Sequence, residues 1–166
     1  MEKDILDTKK VDEAKSHCTR FILWPNMWKT FDIELSPNKW QEYKFKKSIK
    51  KTIPDRKGVY SFVIKPNVAG HPSCSYLMYI GQTTDQTLRE RFGQYVEEQR
   101  GKRKARPKVA YILNKYKNHL FLVCMPIDDP LSPKTVESKL IKALLPPVND
   151  ADTFPAEIKI IIKAAF

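Results

Sequence analysis

Cysteine is scarce, and the three present, Cys18, Cys74 and Cys124, are far apart and odd in number. They have neither a disulfide framework's pairing nor zinc-type spacing, and they predict reduced, mostly buried thiols in a cytoplasmic protein. No apolar run approaches the ~20 residues needed to span a bilayer, so no membrane partner is expected. The first residues, MEKDILDTKK, lack the apolar stretch of a secretory signal. No internal repeat or low-complexity segment is visible. Histidine is sparse as well. His17, His71 and His119 are scattered without partner spacing, which predicts structural or surface roles and removes support for histidine-based metal sites.

Acidic residues are outnumbered, 19 Asp and Glu against 30 Lys and Arg, for a formal net charge of +11. Such a surface attracts polyanions and releases their counterions on binding. Nucleic acid is the commonest polyanion of that kind, with anionic membrane or plain solubility as the alternatives. A length of 166 residues fits one domain with short additions and can build a core without staples. A mean hydropathy of -0.49 reads as soluble and globular.

Residues 1–55 differ in texture from the rest and form an N-terminal extension, expected to be partly helical. They hold Trp24, Trp28 and Trp40 and a basic stretch, Lys44 to Lys51. Ser36-Pro37 reads as a helix start, with serine as cap and proline in the first turn, for a helix over 37–51. Another helix is predicted over 10–21. From Gly58 onward, strand formers dominate Val59 to Ile64, and a second strand runs from Tyr76 to Ile80. Between them Pro66, Asn67 and Gly70 punctuate a long loop. A helix over 86–99 carries Leu88, Phe92 and Val96 at four-residue steps. The loop RGKRKARPK then places six basic residues between Arg100 and Lys108. A short helix over 109–116 leads to a third strand, His119 to Cys124. Ser132-Pro133 repeats the cap-plus-proline signal for a helix to about Leu145, and a last helix over 155–164 is expected to pack on the core. The sum is an α+β fold, a three-stranded antiparallel sheet flanked by helices, with strands near 58–64, 76–81 and 119–124.

Gly58-Val59-Tyr60 ends 19 residues before Tyr79-Ile80-Gly81, each on a predicted strand. Leu88-Arg89-Glu90-Arg91-Phe92 follows on a helix, with Tyr95 four residues after Arg91. Glu137 to Lys142 opens a helix that ends in Pro146-Pro147-Val148-Asn149. These five elements, in this order, resemble the GIY-YIG nuclease family over roughly residues 56–151. The loop between the two tyrosine strands is longer than is usual there. Two arginines compete for one role: the usual gap from Tyr79 points to Arg89, while local context, Phe92 next and Tyr95 one turn on, points to Arg91. Arg91 is the better match on that context, with Arg89 assigned to nucleic-acid contact.

The resemblance implies a metal-dependent endonuclease that hydrolyses phosphodiester bonds, with DNA the expected substrate and Mg²⁺ or Mn²⁺ the cofactor. It implies catalytic roles for Tyr60, Tyr79, Arg91, Tyr95, Glu137 and Asn149. Glu137 would be the metal ligand, and Tyr60 would lie by the attacking water, where it has been proposed as general base. Asn149 would brace the site. The residue types suit the chemistry. A divalent cation stabilises the leaving oxygen and the phosphoryl charge. A carboxylate on the helix face of Leu140, Ile141 and Leu144 is costly unless a cation or hydrogen bonds satisfy it. An arginine fork matches a phosphate and stays charged. A free tyrosine has a pKa near ~10, so a base role for Tyr60 requires a lowered value.

Each residue also has a plainer reading. Glu137 could simply favour the first turns of its helix, Tyr60 and Tyr79 could be core aromatics, and Asn149 could be a turn residue. The basic loop, Arg100, Lys102, Arg103, Lys104, Arg106 and Lys108, is expected to contact phosphates beside the active site or else to be solvated chain. Two other function classes remain open: a nucleic-acid-binding domain that keeps the fold without cutting, and a protein-interaction domain anchored by Trp24, Trp28 and Trp40, whose rings could equally pack the N-terminal segment onto the core.

Overall fold

The computed structural model describes residues 8–36, 39–71, 74–149 and 154–165. Its centre is a β-hairpin. β2 (Gly58–Ile64) runs antiparallel to β3 (Tyr76–Thr83), with Tyr60 opposite Gly81 and Phe62 opposite Tyr79. The register slips by one between Phe62 and Val63, so β3 carries an extra residue, Met78, as a bulge does. The hairpin loop turns through Ala69 and Gly70, both at positive φ. On its other side β2 pairs antiparallel with β4 (Leu120–Pro126), which sets Tyr60 opposite Cys124. The run Val59 to Ile64 is buried on both faces apart from Val63, as a central strand requires.

The sheet has four strands, not the expected three: β1 (Gln41–Lys44) joins the others in the order β1-β4-β2-β3. This added strand is antiparallel to β4, with Tyr43 opposite Leu122. It lies within the span predicted as a helix over 37–51. After it comes only a 3-10 helix, Lys47–Thr52. The reason is tertiary: β4 has a free edge to pair, and Gln41, Tyr43 and Phe45 alternate inward from exposed Glu42 and Lys44. Pro37, the expected first helical residue, lies outside the described residues. Phe45 and Ile53 enter the main core, so this part of residues 1–55 is built into the sheet domain.

The helices surround the sheet. α1 (Thr8–His17) and the four-residue α2 (Pro25–Trp28) precede it. α3 (Leu88–Gln99) is fixed by Thr87, whose hydroxyl accepts from the Glu90 N–H while the Glu90 carboxylate accepts from the Thr87 N–H. α4 (Pro107–Lys115) begins at a proline with Arg106 as its N-cap. α5 (Pro133–Leu144) starts where Ser132-Pro133 indicated, although the Ser132 side chain makes no capping bond. α6 is Ala156–Ala165.

One face of the sheet, with Tyr60, Phe62 and Tyr79, packs on Phe92, Tyr95 and Val96 of α3 and on Val109, Ile112 and Leu113 of α4. The opposite face, with Val59 and Met125, packs on Val136 and Leu140 of α5 and on Ile33, Leu35 and Trp40. A third cluster joins Ile158 of α6 to Met27, Leu145 and Trp24. Trp24 and Trp40 thus pack as core, whereas Trp28 is 47% exposed. Of the thiols only Cys124 is buried. Cys18 is exposed and Cys74 half-buried, which corrects the expectation of mostly buried cysteines. No helix among the described residues is long and apolar enough to cross a membrane.

Candidate active site

Both motif glycines exist because something stands where their side chains would be. A Cβ at Gly58 would lie 2.2 Å from the Met125 carbonyl oxygen, and one at Gly81 would lie 2.5 Å from the Tyr60 hydroxyl. Gly81 therefore lets the Tyr60 ring cross the neighbouring strand and bring its phenol to the rim of the sheet. There a cleft of about 320 Å³ opens between β2, β3, α3, the start of α4 and α5. Tyr60, Tyr79, Arg91 and Glu137 all line it, with Gln82 and Arg106.

Glu137 reaches this cleft although its neighbour Val136 packs on the opposite face of the sheet. β3 is an edge strand, so a side chain from α5 can approach Tyr79 around the sheet rather than through it. Arg91 projects from α3 toward β2. Its Nε donates to the Tyr60 hydroxyl at 3.4 Å, its Nη1 donates to Gln94 Oε1 at 2.6 Å, and its guanidinium lies 4.1 Å from the Tyr95 ring centroid. The Tyr60 and Tyr95 hydroxyls are 2.8 Å apart and hydrogen-bonded. Asn149 sits behind the cleft. Its Oδ1 accepts from the Ile80 N–H at 2.9 Å and its Nδ2 donates to the Ile80 carbonyl at 2.8 Å, so it clamps β3 one residue from Tyr79.

The competing arginine, Arg89, goes elsewhere. Its Nε donates to the Ile53 carbonyl at 3.0 Å and its Nη1 to Asp55 at 2.9 Å, which ties α3 to the segment before β2. The basic loop is also divided. Arg100, Lys102, Arg103, Lys104 and Lys108 are exposed. Arg106 is exposed too, but its guanidinium donates to the Tyr79 hydroxyl and lies 5.2 Å from that ring's centroid. His17, His71 and His119 are all exposed.

Sequence reasoning missed Glu98. This carboxylate is 7% exposed and lies 3.5 Å from Arg91 and 4.0 Å from Arg103. The signal was available, since Glu98 follows Arg91 by two helical turns and shares its face. Burial pushes its carboxyl up while Arg91, Arg103 and Arg106 pull it down. Gln82 was missed as well. Its Oε1 is buried and has no hydrogen-bond partner among the described residues.

Electrostatics separate the site's groups. Burial raises the Glu137 carboxyl to about 7, against the opposing pull of Arg106 and Lys134. Burial, with Tyr95 and Tyr79 beside it, lifts Tyr60 well above the ordinary phenol value, and Arg91 offsets this only in part. Tyr79 is raised too, first by burial. The protein's own groups thus keep both phenols protonated at neutral pH, the reverse of what a tyrosine base needs.

No cluster of three or more His, Cys, Asp or Glu side chains arranged to hold a metal occurs among the described residues. A single carboxylate still suits Mg²⁺, which keeps several waters and takes one or two carboxylates together with substrate phosphates. The half-buried Glu137 and the unpartnered Gln82 oxygen in the same cleft fit that donor chemistry. No family model, curated protein or solved structure matches the chain.

Proposed function

We propose that this protein is a metal-dependent endonuclease that hydrolyses phosphodiester bonds in nucleic acid, with DNA as its substrate, through a GIY-YIG-like core over residues 56–151. The observation that carries the reading is the meeting of Tyr60, Tyr79, Arg91 and Glu137, from four separate elements, on one small polar cleft. A formal charge of +11 supports a polyanionic substrate.

Each group has a task that its surroundings suit. Arg91, held by Gln94 and Glu98 and stacked on Tyr95, presents a fixed guanidinium to a phosphate oxygen. Tyr60 and Tyr79, with their protons retained, donate hydrogen bonds to phosphate or to the attacking water. Tyr95 orients Tyr60, and Asn149 fixes the strand that carries Tyr79. Glu137 would hold Mg²⁺ or Mn²⁺, which would supply charge stabilisation at the leaving oxygen. A carboxyl titrating near neutrality in a cleft is the kind of perturbed group that marks functional sites.

The raised phenol of Tyr60 favours a second reading, a nucleic-acid-binding domain that does not cut. Supercoiled plasmid and a labelled single strand, each incubated with protein and Mg²⁺ or with EDTA, distinguish the two. Nicking that requires Mg²⁺ and disappears in Glu137→Ala is the expected result. Binding without nicking under every condition would leave only the second reading.

A further inference from the structure

We propose that Arg106 is a second phosphate-binding cation of the cleft, contacting the scissile phosphate opposite Arg91, rather than part of the loop's general attraction for nucleic acid. The proposal rests on the nuclease reading. Arg106 is the N-cap of α4, in extended conformation, and Pro107 occupies the first helical turn, so the backbone that launches it is restricted. Its guanidinium is further held by the Tyr79 hydroxyl and ring.

The result is a paired arrangement. Arg91 meets the Tyr60 hydroxyl, Arg106 meets the Tyr79 hydroxyl, and the two tyrosine rings have centroids 6.3 Å apart. The two cations differ in compensation. Arg91 has Glu98 at 3.5 Å, whereas among the described residues Arg106 has no carboxylate at ion-pair distance: its direct partner is the neutral Tyr79 phenol, and Glu137 and Glu98 feel its charge only from farther off. A guanidinium held in place by a neutral group keeps its charge for an incoming anion. Exposed Arg103, by contrast, faces Glu98 at 4.0 Å.

The charge balance of the reaction gives the second cation its purpose. A phosphodiester carries one negative charge, and attack by water builds up more on the phosphoryl oxygens. Hydrolysis adds the water oxygen to phosphorus and breaks one ester P–O bond. One hydrogen ends on the released hydroxyl and the other on the new phosphate monoester. Arg106 exchanges no proton. It counters charge that develops, which is where a preorganised cation accelerates a reaction.

The test is single-turnover cleavage of a labelled duplex with Mg²⁺ at saturating protein. The variants are Arg106→Gln, Arg106→Lys, Tyr79→Phe, the Arg106→Gln/Tyr79→Phe double, and Lys117→Gln. Lys117→Gln removes one charge in the turn before Leu120, which pairs with Ile64 at the far end of the sheet. Arg106→Gln is expected to lower the saturated rate constant about 100-fold, the size of losing one preorganised donor. Lys117→Gln should cut as wild type. The double variant should be slower than either single, because Arg106 acts on the phosphate and not only through Tyr79. Melting curves check the fold. Arg106→Lys, which keeps charge but loses the fork, should be slower than wild type, and it decides the question if Arg106→Gln does not fold. A wild-type saturated rate in Arg106→Gln overturns the proposal, as does a double variant no slower than Tyr79→Phe. Wild-type protein that binds duplex but never cuts overturns the nuclease reading and this proposal together, and is told apart because every protein is then silent.

Discussion

Gly81 stands opposite Tyr60 so closely that a Cβ would fall 2.5 Å from the phenolic oxygen and 2.6 Å from Cζ. On its far side that hydroxyl is held by Tyr95 and Arg91. The ring is buried and cannot swing away freely. Gly81→Ala is therefore expected to displace the Tyr60 hydroxyl and to cost about 1–3 kcal/mol through overpacking. Thermal melting should fall by a few degrees, and plasmid nicking should fall far more than DNA affinity. Unaltered nicking would mean that the position of the Tyr60 hydroxyl is not critical.

Glu137 links the site to pH. Burial raises its carboxyl to about 7, so between the ordinary carboxylate range and neutrality the folded chain holds a proton that the unfolded chain has released. Stability then falls as pH rises through that window and stays lower above it. Glu137→Gln is expected to melt at a higher temperature than wild type at about pH 8, but not at about pH 4. Mg²⁺ should raise the melting point of wild type at the higher pH and leave Glu137→Gln unmoved, since a ligand of the folded state stabilises by mass action. Equal Mg²⁺ shifts in the two proteins would remove Glu137 as the ligand.

The phenols make an opposite demand. Tyr60 is pushed well above the ordinary tyrosine value by burial and by Tyr95 and Tyr79, so it should act as a hydrogen-bond donor. The wild-type cleavage rate is expected to rise with ionisation of Glu137 and then level off. Between about pH 8 and 10 no further limb should appear. A limb of unit slope in that range, lost in Tyr60→Phe, would show that Tyr60 gives up its proton and serves as base.

The strands around Tyr60, Tyr79 and Cys124 could be read from composition, because β-branched and aromatic residues cluster there between turn signals. So could the start of α5 at Ser132-Pro133, whereas α4 begins at Pro107, two residues earlier than the 109–116 span read from the sequence and inside the expected loop. β1 was hidden because Gln41-Glu42-Tyr43-Lys44 is rich in helix formers. Only its neighbours, Tyr43 and Phe45 facing inward on alternate positions, mark it as a strand. Spacing alone left Arg89 and Arg91 unresolved, since the difference lies in which face of α3 meets β2. The cleft position of Arg106 was not legible at all. It depends on where α4 starts relative to Tyr79, a contact across 27 residues.

Asn149 carries a structural prediction. It satisfies both the N–H and the carbonyl of Ile80 on the edge strand, and it is buried. Asn149→Ala would leave two buried backbone groups without partners, at a cost of about 1–3 kcal/mol each. Urea unfolding should shift accordingly, and hydrogen exchange at the Ile80 amide should accelerate more than at Val59 or Phe62. Cutting should fall because Tyr79 moves with its strand. Unchanged exchange at Ile80 would mean that another group takes over the clamp.

The remaining loop cations should govern affinity rather than chemistry. Arg103 is left in place for this test, because its removal would strip a cation from buried Glu98. Arg106 belongs to the cleft. Of the four that remain, Arg100 caps the end of α3 and Lys108 lies within α4, so the two replaced are Lys102 and Lys104, both exposed in the loop that joins α3 to α4. Each phosphate that is no longer neutralised should lower the slope of log affinity against log salt by ~0.9 on duplex DNA. Lys102→Ala/Lys104→Ala is therefore expected to weaken binding on all sequences alike and to flatten the salt dependence by ~1.8. The saturated single-turnover rate should hold, because groups that only position the nucleic-acid backbone act on binding and not on the barrier. Affinity at several salt concentrations for wild type and the double variant measures this. Coincident lines would make the loop a spectator and shift the phosphate-binding role to the exposed lysines of β1 and the 3-10 helix, Lys44, Lys47, Lys50 and Lys51, whose replacement should then produce the same flattening.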